Sequence, residues 1–294
     1  MSDLRPVWPS GATCAVALTF DNFGEALDLY KYGHAGGALS DGVYAPRRGV
    51  DRVLKLLDHY HLPATFFVEG WSIQKYAALA REIVSAGHEI GSHGWLHENW
   101  GSLAPEQERE LIRRTTDTLG EVLGRPPRGW RSPGGLVTTS TLALLADAGY
   151  DYDSSFADED VPYRVQVSVE RSDELVELPW SWSLDDAVYY AHPGSIRRPA
   201  EVADLWIDEF DAARTYTGYF CLVCHPRYSG RPARILALER LVEHIATHSG
   251  VWLARCAEVA THAHADGSTP RYPTPAILAA PAMAPPTGTE PRDR

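Results

Sequence analysis

Runs of strand-like apolar residues alternate with runs of helical period over residues 12–254, and this alternation limits the fold more than any other feature. Strands are expected at Ala12–Phe20, Ala64–Val68, His88–Ser92, Gly129–Arg131, Tyr150–Ser154, Leu175–Leu178, Tyr219–Cys224 and Val251–Ala254. Between them, helices are expected at Val50–Tyr60, Ile73–Ala86, Thr138–Ala148 (ended by Gly149), Ala200–Tyr216 and Ala233–Thr247. A further helix opens at Ser102-Leu-Ala-Pro-Glu106, with Ser102 as its cap, and runs to Leu123 before Gly124. Repeated β-then-α units require a parallel sheet, and their number predicts an α/β barrel, closed or nearly so. Residues 1–263 form that barrel domain. From His264 onward seven prolines crowd an Ala/Thr-rich stretch, so residues 264–294 are expected to be a disordered tail.

Composition excludes several classes of function. The 294 residues carry 27 Lys and Arg against 39 Asp and Glu, a net charge of −12. Such a chain repels phosphate backbones and anionic lipid, which argues against nucleic acid or a membrane surface as partner. No run approaches the roughly 18–20 apolar residues that span a bilayer, and the first ten residues lack the apolar core of a secretion signal. Four cysteines are too few for a disulfide scaffold, so a reduced, cytoplasmic protein is expected. Cys221-Leu-Val-Cys224-His225 has the spacing of a haem attachment site or half a zinc site. It lies in an apolar strand, where residues three apart face opposite sides, so both thiols are expected in the core.

In a β/α barrel the chemistry sits where strands end. The first strand exits at Asp21-Asn22, the third at Ser92-His93-Gly-Trp-Leu-His97, the fourth at Trp130-Arg131-Ser-Pro133, and a late one at Cys224-His225. Two His at i and i+4 share one side of a helical turn and suit a zinc ion with an oxygen ligand and one open position. That ion would polarise a carbonyl, leaving a carboxylate as base and a further His as acid toward a departing amine. These are the parts of metal-assisted amide hydrolysis.

Their order resembles the polysaccharide deacetylases, the NodB-homology group of carbohydrate esterase family four. Thr19-Phe-Asp-Asn22 matches the first motif T-F-D-D, His93-Gly-Trp-Leu-His97 the second, Arg131-Ser-Pro133 the third, and Leu222-Val-Cys-His225 the last. Tyr152-Asp-Ser-Ser-Phe156 holds the place of the fourth without its tryptophan. The resemblance spans about residues 12–258. The runs Glu177-Leu-Pro-Trp-Ser-Trp-Ser-Leu-Asp-Asp-Ala187 and His225-Pro-Arg-Tyr-Ser-Gly-Arg-Pro232 are similar to the branch with allantoinase-like, cyclic-imide-hydrolysing and peptidoglycan-deacetylase-like members.

The resemblance implies a distorted parallel (β/α) barrel holding one divalent ion, zinc first among them. Asp21 would be the base, His225 the acid toward the leaving nitrogen, and Arg131 the residue that holds Asp21. His93 and His97 would be metal ligands, with Asn22 at the position of the family's metal-binding aspartate. A D-x-D spacing would instead place Phe23 there, and Glu25 is another oxygen donor within reach. Trp95, Trp130 and Trp182 either stack a ring of the substrate or pack the rim and a subunit interface, which leaves a homo-oligomer open. Arg227 either holds a substrate carboxylate or pairs on the surface. Three readings follow: an N-acetyl or amide hydrolase, a hydrolase of small cyclic imides or ureides, and a metal-poor binding protein of the same fold. The absent export signal favours a small-molecule or amino-sugar substrate.

Overall fold

The computed structural model describes residues 5–273. Its strands are β1 Cys14–Asp21, β2 Thr65–Val68, β3 Glu89–Ser92, β4 Gly129–Trp130, β5 Tyr152–Asp153, β6 Tyr163–Gln166, β7 Glu174–Glu177, β8 Tyr219–Cys224, β9 Val251–Leu253 and β10 Arg271–Tyr272. The helices are α1 Ala26–Tyr32, α2 Asp41–Tyr44, α3 Val50–His59, α4 Gly70–Lys75, α5 Ala77–Ser85, α6 Pro105–Leu123, α7 Thr141–Asp147, α8 Asp186–Tyr190, α9 Pro199–Tyr216, α10 Pro232–Ala246 and α11 Cys256–Ala265.

Seven strands run parallel in the order β8-β1-β2-β3-β4-β5-β7, and β9 joins the start of β1. The curled sheet is left open between β7 and β8, where among the described residues only the Asp185–Val223 bridge spans the gap. An antiparallel partner, β6, extends the far side and carries β10. The expected distorted barrel is therefore present, nearly rather than fully closed. Strand alternation explains why so much of it is buried. Val16, Leu18 and Phe20 pack outward in one cluster with α3, α9 and α10, while Ala15 and Ala17 meet Phe67, Tyr152, Cys221 and Val223 inside. Small residues on the inner face of β1 suit the narrow interior. Cys221 and Cys224 fall in different clusters, and all four cysteines are buried and free, as the strand reading required.

Several sequence expectations change. The helix over 73–86 is two, broken at Tyr76. Ser102 is not the cap of α6: Ala104 holds that position and its backbone N–H donates to Gln107 Oε1, while the Ser102 hydroxyl donates to Asn99 O. Short helices at 26–32 and 41–44, too brief for periodicity to reveal, wall one side of the barrel mouth. The boundary at 263 also shifts. α11 runs to Ala265 and donates from Cys256 and Ala257 to Thr65 and Glu89, while Arg271–Tyr272 pair with β6. The rest of the expected tail, 274–294, lies outside the described residues. Among the described residues no helix is long and apolar enough to cross a membrane.

Candidate active site

At the strand exits the backbone ladder continues one residue past each strand, which fixes the side chains that follow. Asn22 N–H donates to Phe67 O, His93 N–H to Val68 O, and Arg131 N–H to Ser92 O. Asp21, Asn22, His93, His97, Arg131 and His225 thereby line one cleft of about 350 Å³. Asp21 is buried and accepts from Arg131 at 3.1 Å. The same guanidinium donates to Thr19 Oγ1 (2.7 Å), Ser154 O (3.0 Å) and Ser154 Oγ (2.8 Å), and lies 4.3 Å over the Phe67 ring. A buried charge pair of this kind is strongly destabilising to break, by about 3–5 kcal/mol, because the surviving charge is stranded. Tyr152-Asp-Ser-Ser-Phe156 acts here as support: Ser154 holds Arg131, while Ser155 receives Ser132 N–H and donates to Asp153.

The His pair does not sit on a helical turn. Residues 93–97 form a loop with Gly94 and His97 in the left-handed region, at φ +71° and +65°. Glu98 pins it by accepting from Trp95 and Leu96 N–H. The loop still places the two rings 5.0 Å apart. His93 Nδ1 donates to Arg131 O at 2.8 Å, which leaves Nε2 with a free lone pair. Burial pushes His93 down to about 3, and burial with the neighbouring His93 charge takes His97 well below its ordinary value. Both rings are neutral donors near pH 7. Beside them Asn22 Oδ1 is buried with no hydrogen-bond partner among the described residues. Asn22 also sits at φ +58°, a conformation that Asn tolerates better than most residues.

Across the cleft stands His225. Its Nδ1 lies 2.7 Å from Asp186 Oδ1, and its backbone N–H donates to Asp186 Oδ2. Burial alone would lower the imidazole pKa, but Asp186, aided by Asp185 and Asp21, lifts it to about 9. Ser229 also donates to the fully buried Asp186. Asp186, the partner of His225, was not among the candidate site residues read from the sequence. The signal was its place at the start of a short helix, directly after Asp185, which caps that helix through Ala187 N–H. Burial lifts Asp185 to about 6 despite the attraction of His225.

The structure corrects further expectations at Trp130, Trp95, Arg227, Glu25 and Phe23. Trp130 is fully buried against Trp100, 4.6 Å away, and Trp95 is covered by Arg114 at 3.6 Å, so neither ring reaches the cleft. Trp182 does line it, 55% exposed and edge-on to Trp180. Arg227 borders the cleft, yet its two terminal nitrogens donate to Asp28 and Gly24 O, and only its buried Nε is without a partner among the described residues, which leaves little to offer a substrate carboxylate. Glu25 turns away to Lys75 and Tyr76, and Phe23 lies in the core. Burial alone would raise the Glu25 pKa, yet those two bonds hold it below the ordinary value. Glu25 is not the spare oxygen donor.

This arrangement meets its counterpart among known proteins. The family model for polysaccharide deacetylase matches residues 12–152. A peptidoglycan deacetylase of Helicobacter pylori is 34% identical over 242 residues, covering 72% of this chain and 83% of that protein. The chain belongs to the polysaccharide deacetylase family and is a deacetylase-like hydrolase. Among solved structures, a putative polysaccharide deacetylase from Mycobacterium smegmatis superposes with a TM-score of 0.87 at 38% identity, covering 95% of this chain and 98% of that one. The PuuE allantoinase superposes at 0.82 with 25% identity, over 90% and 94% of the two chains.

Proposed function

We propose that the protein is a metal-dependent hydrolase of non-peptide carbon–nitrogen bonds, acting on an amide or N-acetyl group of a compact substrate. One observation supports this most. An unpartnered Asn22 oxygen and two neutral imidazoles converge in the cleft that also holds an Arg-paired carboxylate and an Asp-paired histidine. Two imidazole nitrogens and an amide oxygen suit a borderline divalent ion, zinc before magnesium or calcium. When bound, such an ion polarises the scissile carbonyl and eases deprotonation of water.

The remaining steps belong to side chains. Asp21, held in place by Arg131, takes the proton from the attacking water. His225, protonated and oriented by Asp186, donates to the departing nitrogen. Trp182 offers a face for a ring of the substrate. Because Asn22 contributes no charge, the ligand set is neutral, and the ion binds more weakly than it would beside an aspartate. The cleft is at the small end of ligand sites, walled by residues of α1 and the 38–41 stretch, which suits one or two rings. That size, with the close superposition on an allantoinase, supports a second reading in which the substrate is a cyclic imide or ureide.

Metal analysis of the purified protein, with turnover of acetyl-sugar and cyclic-imide panels before and after chelation, tests the proposal. Chelation is expected to abolish hydrolysis and zinc to restore it. Release of acetate from insoluble polymer with no turnover of small cyclic amides overturns the preference for a compact substrate. A zinc-loaded chain that hydrolyses nothing in either panel overturns the enzyme reading in favour of a silent binding protein.

A further inference from the structure

A second trio of metal-ligating side chains lies on the outside of the barrel, on helices that take no part in the cleft. α9 contributes Asp211; α10 contributes His244 in its last turn, and His248 follows just beyond its end. One donor atom from each falls within 4.8 Å of the others. His244 Nε2 is 2.9 Å from Asp211 Oδ1, and His248 Nε2 is 4.0 Å from the same oxygen. Ligands of a tetrahedral zinc ion, with bonds of about 2.0–2.1 Å, stand roughly 3.3 Å apart. The two observed separations bracket that value, so small side-chain rotations complete the site. We propose that Asp211, His244 and His248 bind a zinc-like divalent ion, distinct from any ion in the cleft, which clamps α9 to α10.

The details of the trio favour an ion over a plain hydrogen bond. His248 Nδ1 lies 2.9 Å from the His244 carbonyl and donates to it, so its Nε2 is bare and turned to the carboxylate side. Ligating histidines are commonly held in this way by a carbonyl on the far nitrogen. Both rings pack edge-on against Phe210, 5.8 and 5.6 Å away, which limits their rotation. Asp211 forms no ion pair with Lys or Arg among the described residues; Arg214, the nearest cation on its helix, lies over Phe210 instead. The trio is a quarter to a half exposed, so an ion can enter from solvent with water as its fourth ligand.

Topology keeps this site apart from the cleft. α10 ends just before β9, which pairs with the start of β1, whereas the cleft residues follow the ends of the strands. The ion would therefore stabilise the packing of α9 on α10 and take no part in hydrolysis. Two imidazoles with one carboxylate select zinc, nickel or cobalt over magnesium and calcium.

Zinc titration of the chelator-stripped full chain, read by calorimetry and native mass spectrometry, tests the proposal. The wild type is expected to bind two equivalents, His97→Ala one, His248→Ala one, and the double variant none. His248→Ala should keep wild-type turnover. Should it fail to fold, Asp211→Asn preserves shape and is expected to weaken one zinc equivalent by at least about tenfold. Wild-type zinc stoichiometry in His248→Ala or undiminished affinity in Asp211→Asn overturns the outer site. One equivalent in the wild type, lost in His248→Ala and kept in His97→Ala, supports the outer site and overturns the metal role of the cleft.

Discussion

Two histidine pairs in this chain share the i, i+4 spacing and almost nothing else. His93 and His97 stand on a buried loop with two left-handed residues, their rings 5.0 Å apart beside an oxygen that lacks a partner. His244 and His248 stand at the end of an ordinary helix, their rings 4.7 Å apart and about a quarter exposed, with only His244 bonded to a carboxylate. Spacing alone brings two imidazoles together by either route. The backbone and the surroundings decide the outcome. The loop pair is desolvated, neutral and shares a cleft with Asp21 and His225, whereas the helical pair faces water and a neighbouring helix.

The contrast is broken or sharpened most by removing one ring from each pair. His97→Ala is expected to abolish measurable turnover and release the cleft ion, while His248→Ala leaves turnover intact; assays of the two variants side by side decide this. Next in size is His225. Its loss is expected to cost roughly 10²–10⁴-fold in kcat with cleft zinc retained, and loss of zinc instead would make His225 a ligand. Its titration adds a finer test. The folded pKa of about 9 lies above the ordinary 6.5, so the Asp186 contact adds stability that is full below pH 6.5 and fades as pH rises through 9. In the metal-free chain, NMR titration should place the His225 midpoint near 9, and Asp186→Asn should move it lower.

Smaller effects are expected from the oxygen ligand. Asn22→Asp should tighten cleft zinc, because it adds a charge at a φ that Asp also tolerates. Glu25→Gln should leave zinc affinity unchanged, since that carboxylate belongs to Lys75 and Tyr76. Zinc titration of both variants compares them directly, and a loss of metal in Glu25→Gln reverses the assignment. The smallest change belongs to the aromatics. Trp182→Ala should raise KM by a few fold with kcat little altered. Trp130→Ala should act on stability, by about 3–5 kcal/mol, as a core ring does.

What could be read in the sequence was whatever depends on period and on position after a strand. The inner and outer faces of β1 follow from alternation, and Asp21, Arg131 and His225 are exposed as candidates by standing where apolar runs stop. Pair geometry could not be read, because His93-Gly-Trp-Leu-His97 carries no mark of the left-handed turns that shape its loop except Gly94. Partners distant in sequence were hidden too: Asp186 meets His225 only because α8 folds across the end of β8. The aromatics misled for the same reason. Trp95 and Trp130 neighbour site residues in the chain, yet both rings are buried: the strand turns Trp130 away from the side of Arg131, and the 93–97 loop sets Trp95 under Arg114.

Arg131 has a consequence beyond the chemistry of Asp21. Its guanidinium reaches 112 positions back to Thr19, 23 forward to Ser154 and 90 forward to Cys221. Contacts across such separations close late, since each waits on the entropy of a long loop. During synthesis the chain therefore carries Asp21, His93 and His97 long before His225 joins them in the cleft. A ribosome-bound or truncated product ending before residue 219 has neither β8 nor His225. The cleft is thus complete only once β8 has joined β1.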